Sequence, residues 1–314
     1  MKNKPVFSVI IPLYNKEKYI SRAINSVLKQ SFKDFEIIVV NDGSTDNSLS
    51  VLKTIKDSRI RILNQKNLGA SNARNKGIKK TKAPYIAFLD ADDEYLPDFL
   101  SNIYELMQKY KKYSFFATAY KRISSDSIKE CYYGAKKISI VENFLAKMAK
   151  TGKIFIHISS VVIKKNVFDD VGGFFTRSKK NYGGATIFED IDLWIRISCK
   201  YNMVFLNKIE TIYYTNTQTN TINGYKFSRL DCSFYEHTMK KLLTEHSDKK
   251  IHKHLRQILY YLRNASATQF FIRGYFAESQ DILNKQPKTK AVKKMYKMIK
   301  IKEVTNKLIG KVKN

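Results

Sequence analysis

Cysteine and proline are scarce, with 3 Cys and 5 Pro in 314 residues. Cys131, Cys199 and Cys232 lie far apart and form no C-x-x-C pair, so neither a disulfide framework nor a zinc site is expected. A reducing cytoplasm is the simplest home for such a chain. With only 12 Gly besides, a collagenous or linker-dominated chain is excluded. No stretch approaches the ~20 consecutive apolar residues of a membrane span. The N-terminal apolar run is cut by Pro12 after a few residues, too soon for the hydrophobic region of a signal peptide. The expected protein is therefore soluble, or sits on a membrane surface without crossing it. Glycine-rich phosphate loops are also missing. There is no G-x-G-x-x-G after the first strand and no G-x-x-x-x-G-K-[ST], which disfavours a dinucleotide oxidoreductase and a P-loop NTPase. Acidic residues are few: 28 Asp and Glu face 57 Lys and Arg, a net charge of +29. A charge that large calls for an anionic partner, whether nucleic acid, phosphorylated metabolite or acidic membrane.

The chain is 43% hydrophobic and 27% charged, enough apolar surface for a real core. Its length allows one large domain or two ordinary ones. The first third alternates strand and helix. Phe7–Ile11, Glu36–Val40 and Tyr85–Leu89 are short β-branched or aromatic runs, as expected of strands buried on both faces. Arg59–Leu63 is a further short strand. Between them, Ile20, Ala23, Ile24, Val27 and Leu28 repeat at helical spacing behind Asn15, which is read as the N-cap. Leu49, Leu52 and Ile55, then Gly69–Lys80, then Leu96 to Met107 mark three more helices. Such alternation predicts an α/β fold, a mostly parallel open sheet with flanking helices. The middle, from Tyr113 to Tyr214, is less regular. Ile158–Lys164 reads as a strand, Val171–Phe174 as a turn, Asp190–Tyr201 as a helix and Met203–Leu206 as a strand. From Tyr225 the pattern turns helical and basic, with 21 Lys and Arg against 7 Asp and Glu. The expected division is 1–224 for a catalytic domain and 225–314 for a basic helical C-terminal region.

In an open parallel sheet, ligands bind beyond the carboxyl ends of the strands. Two acidic turns fall there: Asn41-Asp42 after the second strand and Asp90-Ala91-Asp92-Asp93 after the fourth. Asp42 alone serves equally well as a helix cap. Three carboxylates in four residues repel one another and favour a cation. Oxygen ligands of this kind suit Mg2+ or Mn2+.

The motifs carry a resemblance. Ser8-Val9-Ile10-Ile11-Pro12-Leu13-Tyr14-Asn15, Val40-Asn41-Asp42-Gly43-Ser44-Thr45-Asp46, Asn67-Leu68-Gly69-Ala70-Ser71-Asn72-Ala73-Arg74-Asn75 and Phe88-Leu89-Asp90-Ala91-Asp92-Asp93 occur in that order. Val171-Gly172-Gly173-Phe174 and Phe188-Glu189-Asp190-Ile191-Asp192-Leu193-Trp194 follow. The series resembles family 2 glycosyltransferases over roughly Pro5 to Tyr214. The resemblance implies a GT-A fold and transfer of one sugar from a nucleotide-sugar, in the family most often a UDP-sugar. It implies that Pro12 and Tyr14 line the base pocket and that Asp42 accepts a hydrogen bond from the nucleobase. Arg74 would contact the nucleotide, Asp90 would face the ribose and metal-bound water, and Asp92 would ligate a metal bridging the diphosphate. Glu189-Asp190 would open a helix near the acceptor. Asp190 is the preferred general base, with Glu189 the alternative, for a single inverting displacement. Trp194, at helical spacing from Ile191 and Ile197, reads as core rather than as a sugar platform.

Two departures bear on these expectations. Many relatives place a His after the last strand as a further metal ligand, whereas 213–218 here read Tyr-Tyr-Thr-Asn-Thr-Gln. The Q-x-x-R-W motif and membrane spans of processive members are missing too, which favours one sugar per encounter. The acceptor implied is a glycan or lipid-linked glycan of a surface polysaccharide or lipopolysaccharide pathway, on the inner face of the cytoplasmic membrane. Residues 285–314 hold 11 Lys and 1 Glu, with Val292, Met295, Ile299, Val304, Leu308 and Val312 at near-helical spacing. That is the pattern of a helix lying on an anionic membrane surface, or of one packed on the rest of the protein. Two other classes stand beside the enzyme. One is a nucleic-acid-binding protein, for which charge speaks but no zinc finger, RRM signature or helix-turn-helix does. The other is a catalytically inactive scaffold of the same fold, against which the acidic residues argue.

Overall fold

The computed structural model describes residues 4–151, 154–176, 189–215, 233–272, 276–287 and 292–300. The chain divides into two compact units, Met1–Phe144 with Ile154–Gly224, and Leu145–Lys153 with Tyr225–Asn314.

The first unit is built on one ten-stranded sheet. Its elements begin β1 (Phe7–Leu13), α1 (Ile20–Leu28), β2 (Phe35–Asn41), α2 (Ser48–Thr54), β3 (Ile60–Asn64), α3 (Ala70–Lys80) and β4 (Tyr85–Phe88). The short β5 (Glu94–Tyr95) and α4 (Phe99–Lys109) follow, then β6 (Phe115–Ile123), β7 (Ile128–Cys131) and β8 (Ile138–Val141). After α5 (Phe144–Thr151), which from Leu145 belongs to the second unit, come β9 (Val161–Lys164), α6 (Asn166–Val171), α7 (Glu189–Ser198) and β10 (Met203–Tyr214). The sheet order is β3-β2-β1-β4-β9-β6-β10-β5, with β7 beside β6 and β8 beside β10. β3, β2, β1 and β4 run parallel, as do β6 and β10. β9 joins the two parallel groups as an antiparallel spacer between β4 and β6. The expected α/β fold with a mostly parallel open sheet and flanking helices is what the chain adopts.

The apolar runs explain the centre of the sheet. Every residue of β2 is buried, and so is every residue of β1 except the half-buried Pro12. Pro12 lies past the end of the β1–β4 ladder, which stops at Ile10 and Phe88. A residue without an N–H is tolerated there. The amphipathic helices α1 and α4 pack Ile20, Ala23, Ile24, Val27, Phe99, Leu100 and Ile103 onto the sheet. Because β2 and β3 lie on one side of β1 and β4 on the other, the chain reverses direction across the sheet between β1 and β4. Crevices form at the carboxyl ends of strands at such switch points.

Three local expectations change. Asn15 does not cap α1, which begins at Ile20 behind Tyr19 with no side-chain cap. Asn15 instead takes a φ of 50°, and its carboxamide bonds the Thr45 amide at 2.8 Å and hydroxyl at 3.1 Å. Those bonds tie the loop after β1 to the loop after β2. Ile158–Ser160 forms a 3-10 turn, so the strand there starts at Val161. The middle is more regular than its sequence suggests, because β6 and β10 form a long parallel pair.

In the second unit the described elements are helical: α5 from Leu145 onward, α8 (Ser233–Glu245), α9 (Lys249–Ile272), α10 (Phe276–Asn284) and residues 292–300. Ala267, Ile282, Leu283, Val292 and Ile299 form its core, with Tyr260, Phe271, Met295 and Tyr296 packed against it. Val292 and Ile299, two positions of the anticipated membrane-facing stripe, are therefore buried in packing. Val304, Leu308 and Val312 lie outside the described residues. Among the described residues no helix is long and apolar enough to cross a membrane.

Candidate active site

The site forms at the carboxyl ends of β1, β2 and β4. Asp42 follows β2 and is buried, with 3% exposure. Its Oδ1 accepts hydrogen bonds from Gln65 Nε2 and the Leu68 amide, both 2.8 Å, and its Oδ2 accepts the Gly69 amide at 2.8 Å. Gly69 has a φ of 91° as the chain enters α3, a conformation that favours glycine. The carboxylate thus builds the loop leading into α3, a structural duty beside any nucleobase contact. Tyr14 stands exposed at the end of β1, next to half-buried Pro12. Since β1 lies between β2 and β4, Asp42 and Asp90 are two strand spacings apart, roughly 10 Å. That leaves room for a ligand across the end of β1.

The acidic turn after β4 spreads its carboxylates among different partners. Asp92 Oδ2 receives Lys16 Nζ at 2.5 Å, and the Asp92 carbonyl accepts a bond from Arg22 Nη2. Asp93 is fully buried; it accepts Ser159 Oγ at 2.6 Å and the Tyr214 amide at 3.2 Å. Burial, together with the charges of Asp90 and Asp92, pushes the Asp93 carboxyl well above its ordinary range. His157 lies nearby, with Nδ1 3.6 Å from Asp93 Oδ2 and its ring stacked on Tyr213 at 4.1 Å. Nδ1 accepts the Ser159 amide at 3.3 Å, a long contact that a cation on the same nitrogen would replace. Burial lowers the His157 pKa to about 4, so the ring is neutral at physiological pH.

Asp90, Asp93 and His157 bring one ligand atom each to within 4.8 Å of one another. Two carboxylate oxygens and an imidazole nitrogen suit a divalent cation such as Mn2+. A cation would also relieve the mutual repulsion that raises Asp93. The residues present therefore fit a metal. The trio differs from the expected pair in two ways. Asp93 stands where Asp92 was anticipated, while Asp92 is engaged by Lys16. A histidine is present, but it comes from the segment before β9 rather than the end of β10. The β4–β9–β6 pairing carries it there, and sequence spacing gave no sign of it.

Arg74 on α3 is the hub of the other half. It is 4% exposed, and it donates from Nη2 to Asp90 Oδ1 and from Nη1 to Glu189 Oε1, both at 2.6 Å. Burial disfavours its charge, but Asp90 and Glu189 outweigh that and raise its pKa. The guanidinium also lies 5.3 Å from the Phe174 ring centre. Asn75, the next residue of α3, holds Phe174 by its amide and carbonyl at 2.8 and 2.7 Å. That contact requires glycine at 173, where a Cβ would come within 2.3 Å of Asn75 Oδ1. For Asp90 burial favours protonation, yet the charge of Arg74 and then of neighbouring groups holds its pKa below the ordinary value.

Asp190 shares the first turn of α7 with Glu189 and accepts only its neighbour's amide, Ile191, at 2.8 Å among the hydrogen bonds of the described residues. Burial, then the charge of Glu189, raises it to about 7. Of the expected site residues, Asp90, Arg74 and Glu189 are thus joined directly, with Asp190 beside them. Pro12 and Tyr14 lie at the end of β1 and Asp42 just after β2, and among the described residues no hydrogen bond or ion pair joins them to that group. Trp194 is fully buried and stacks on Phe115 at 5.6 Å, as a core residue does. Arg196 pairs with Asp192 at 2.6 Å and bonds the carbonyls of Val171 and Gly173, fixing α7 to the Val171–Phe174 turn.

Comparison with known proteins bears on this arrangement. Residues 8–180, more than half of the chain, match the family model described as Glycosyl transferase family 2. Glycosyltransferase GlyA of Streptococcus pneumoniae is 32% identical over 176 residues, covering 52% of this chain and 25% of that protein. An uncharacterized glycosyltransferase of Rickettsia conorii, RC0461, is 32% identical over 240 residues, covering 74% of this chain and 37% of the other. The chain therefore spans well under half the length of these two relatives. The crystal structure of S. aureus TarS 1-349 in complex with UDP-GlcNAc superposes with a TM-score of 0.70 at 21% identity, over 88% of this chain and 78% of that one. That likeness is one of fold.

Proposed function

The chain belongs to glycosyl transferase family 2 and has the GT-A fold, and from that premise we propose that it moves one sugar from a nucleotide-sugar to an acceptor hydroxyl with inversion. The observation that carries the reading is the Arg74 hub, which links the acidic turn after β4 to the first turn of α7. The two halves of a transfer site are joined there, a diphosphate-binding turn and a carboxyl with the pKa of a base.

Asp90, Asp93 and His157 would hold Mn2+ or Mg2+, which supplies positive charge to offset that of the departing nucleoside diphosphate. Asp92 is the further oxygen ligand that the acidic turn offers. Pro12, Tyr14 and Asp42 form the pocket for the nucleobase. The UDP preference rests on the family and on the ligand named for the TarS structure.

Asp190 is the general base. Glu189 is committed to Arg74 at 2.6 Å, which makes it the poorer candidate. A carboxyl with a pKa of about 7 is half ionised at neutral pH and well matched to accept a proton in the transition state. The acceptor oxygen forms a bond to the anomeric carbon as the bond from that carbon to the diphosphate oxygen breaks. The acceptor proton passes to Asp190 Oδ, and the electron pair of the broken bond leaves on the diphosphate.

The acceptor we propose is a glycan or lipid-linked glycan in surface polysaccharide or lipopolysaccharide synthesis, met at the cytoplasmic face of the membrane. The test is Asp190→Asn. Donor binding, read by thermal shift with UDP-sugar and Mn2+, stays intact, while transfer falls about 100- to 10,000-fold. Transfer near the wild-type rate would move the base elsewhere.

A further inference from the structure

The groups suited to a metal come from two separate stretches of chain, the acidic turn after β4 and the segment before β9. Ser159 touches all three. Its Oγ donates to Asp93 Oδ2 at 2.6 Å and accepts the Asp90 amide at 3.2 Å. Its own amide donates to His157 Nδ1 at 3.3 Å. That last bond gives way when a cation takes Nδ1, whereas the two made by the hydroxyl compete with no metal. Ser159 is fully buried. A serine hydroxyl has one proton to give and lone pairs to accept with, and both capacities are used here.

The sheet brings Ser159 there. β9 runs antiparallel to β4, with Tyr85 opposite Lys164 and Ala87 opposite Val162. Extending that register puts Asp90 opposite Ser159. At that level the chain before β9 is the 3-10 turn Ile158–Ser160 rather than a strand. A side-chain oxygen therefore takes the Asp90 amide where a strand would offer a carbonyl. The turn is closed by its own hydrogen bonds. The His157 amide donates to Ser160 Oγ at 3.1 Å, and the Ser160 hydroxyl and amide donate to the His157 carbonyl at 2.8 and 2.9 Å.

Asp93 is what the hydroxyl fixes. Its carboxylate is fully buried, and each oxygen accepts one hydrogen bond among the described residues. Oδ1 takes the Tyr214 amide at 3.2 Å and Oδ2 takes Ser159 Oγ. Two donors from different strands set the plane of the carboxylate. Without the Ser159 hydroxyl, Oδ2 keeps no hydrogen-bond donor among the described residues. Functional groups must be held to about 0.5 Å for a site to work. Partners that hydrogen-bond metal ligands are worth about 10- to 100-fold in metal affinity or activity. A matched bond lies at the start of β1, where buried Ser8 donates from Oγ to Glu36 Oε1 at 2.6 Å. The metal-ligating trio lies at the carboxyl ends of the strands, so Ser8 shows what a purely structural hydroxyl does.

We propose that Ser159 is a positioning residue of the metal site, whose hydroxyl holds Asp93 Oδ2 and the Asp90 backbone so that Asp90, Asp93 and His157 close on one divalent cation. The assignment rests on the metal-dependent transferase reading and adds to it a residue that touches neither cation nor substrate.

The test is Mn2+ binding to the full chain without nucleotide, read from the spin-resonance signal of free ion at a temperature where every protein is folded. Melting points and steady-state transfer are measured beside it. The proteins are wild type, S159A, S159T, D93N and the matched control S8A. Wild type is expected to bind Mn2+ at a site that D93N loses. S159A should weaken that site at least tenfold, and its transfer rate should recover toward wild type as Mn2+ is raised. S159T keeps the hydroxyl and should bind Mn2+ more tightly than S159A. S8A should lower the melting point, as S159A does, with Mn2+ affinity within twofold of wild type. Equal affinity in S159A and wild type, with the D93N loss intact, overturns the role of Ser159 and leaves the metal site standing. Equally weak binding in S159T and S159A overturns the role of the hydroxyl. Equal losses in S8A and S159A overturn it too, because general loosening of the fold would then explain them. A wild type with no Mn2+ site for D93N to remove contradicts the metal assignment itself, and the role of Ser159 falls with it.

Discussion

Arg74→Gln is the perturbation with the richest readout. The guanidinium is 5% exposed at its side chain and lies 2.6 Å from two carboxylates, Asp90 at 26% and Glu189 at 13% exposure. Removing one partner from a buried ion pair costs about 3–5 kcal/mol, mostly because the other charge is left without a partner. Asp90 retains some access to water, which argues for the lower half of that range, about 3–4 kcal/mol. At roughly 2–4 °C per kcal/mol for a domain of this size, the melting point falls by about 6–16 °C. Arg74→Lys loses less, since one ammonium can satisfy one of two carboxylates that the fork serves together. The chemistry moves as well. Arg74 is among the groups that lower the Asp190 pKa, against burial and Glu189, which raise it to about 7. Without the cation the Asp190 pKa rises further. The acid limb of kcat/KM, which reports the free enzyme's base, therefore shifts to higher pH. The assays are thermal unfolding and a pH–rate profile of sugar transfer, on wild type, Arg74→Gln and Arg74→Lys. A lower melting point with an unmoved acid limb would make Arg74 a purely structural residue. An unchanged melting point and an unchanged limb would refute the hub altogether.

Two further outcomes follow from the same geometry. Mn2+ affinity, measured from the spin-resonance signal of free ion, should keep rising with pH above the ordinary carboxylate range, because metal ligands bind deprotonated. Asp93, held up by burial and by Asp90 and Asp92, must release its proton to bind, whereas His157, with a pKa near 4, is already neutral; affinity independent of pH would remove Asp93 from the metal site. Gly173→Ala should destabilise the fold by about 1–3 kcal/mol through loss of the two Asn75–Phe174 hydrogen bonds. In a double-mutant cycle with Asn75→Ala the losses should not add, and additive losses would show that the two residues act separately.

The strands that frame the site were legible because β1, β2 and β4 are uninterrupted apolar runs, and burial on both faces leaves little else for such runs to do. The helices between them announced themselves by spacing, as with Ile20, Ala23, Ile24 and Val27 on α1. β6 and β10 were harder to read. Lys121 and Arg122 in one, and Asn207 and Lys208 in the other, break the apolar pattern where the strands come toward the surface, and Glu210 breaks it although it is buried. The residues that converge after β4 were legible only in part. Asp90, Arg74, Glu189 and Asp190 stood in recognisable motifs. His157 did not, because its nearness to Asp93 depends on a strand inserted antiparallel between β4 and β6. Asn15 misled for a related reason. A good cap residue before a helical pattern is a local cue, but here the side chain is used to fasten one loop to the next, at a backbone angle that excludes the cap role.

The most direct test of the central claim is thermal unfolding of the full chain with UDP, UDP-sugars and other nucleoside diphosphates, each with and without Mn2+. A ligand that binds only the folded state raises its melting point. A uridine nucleotide should raise the melting point only when Mn2+ is present, and Asp90→Asn should lose that rise. The absence of a shift with any nucleotide, metal present or not, would contradict the assignment of this site to nucleotide-sugar transfer.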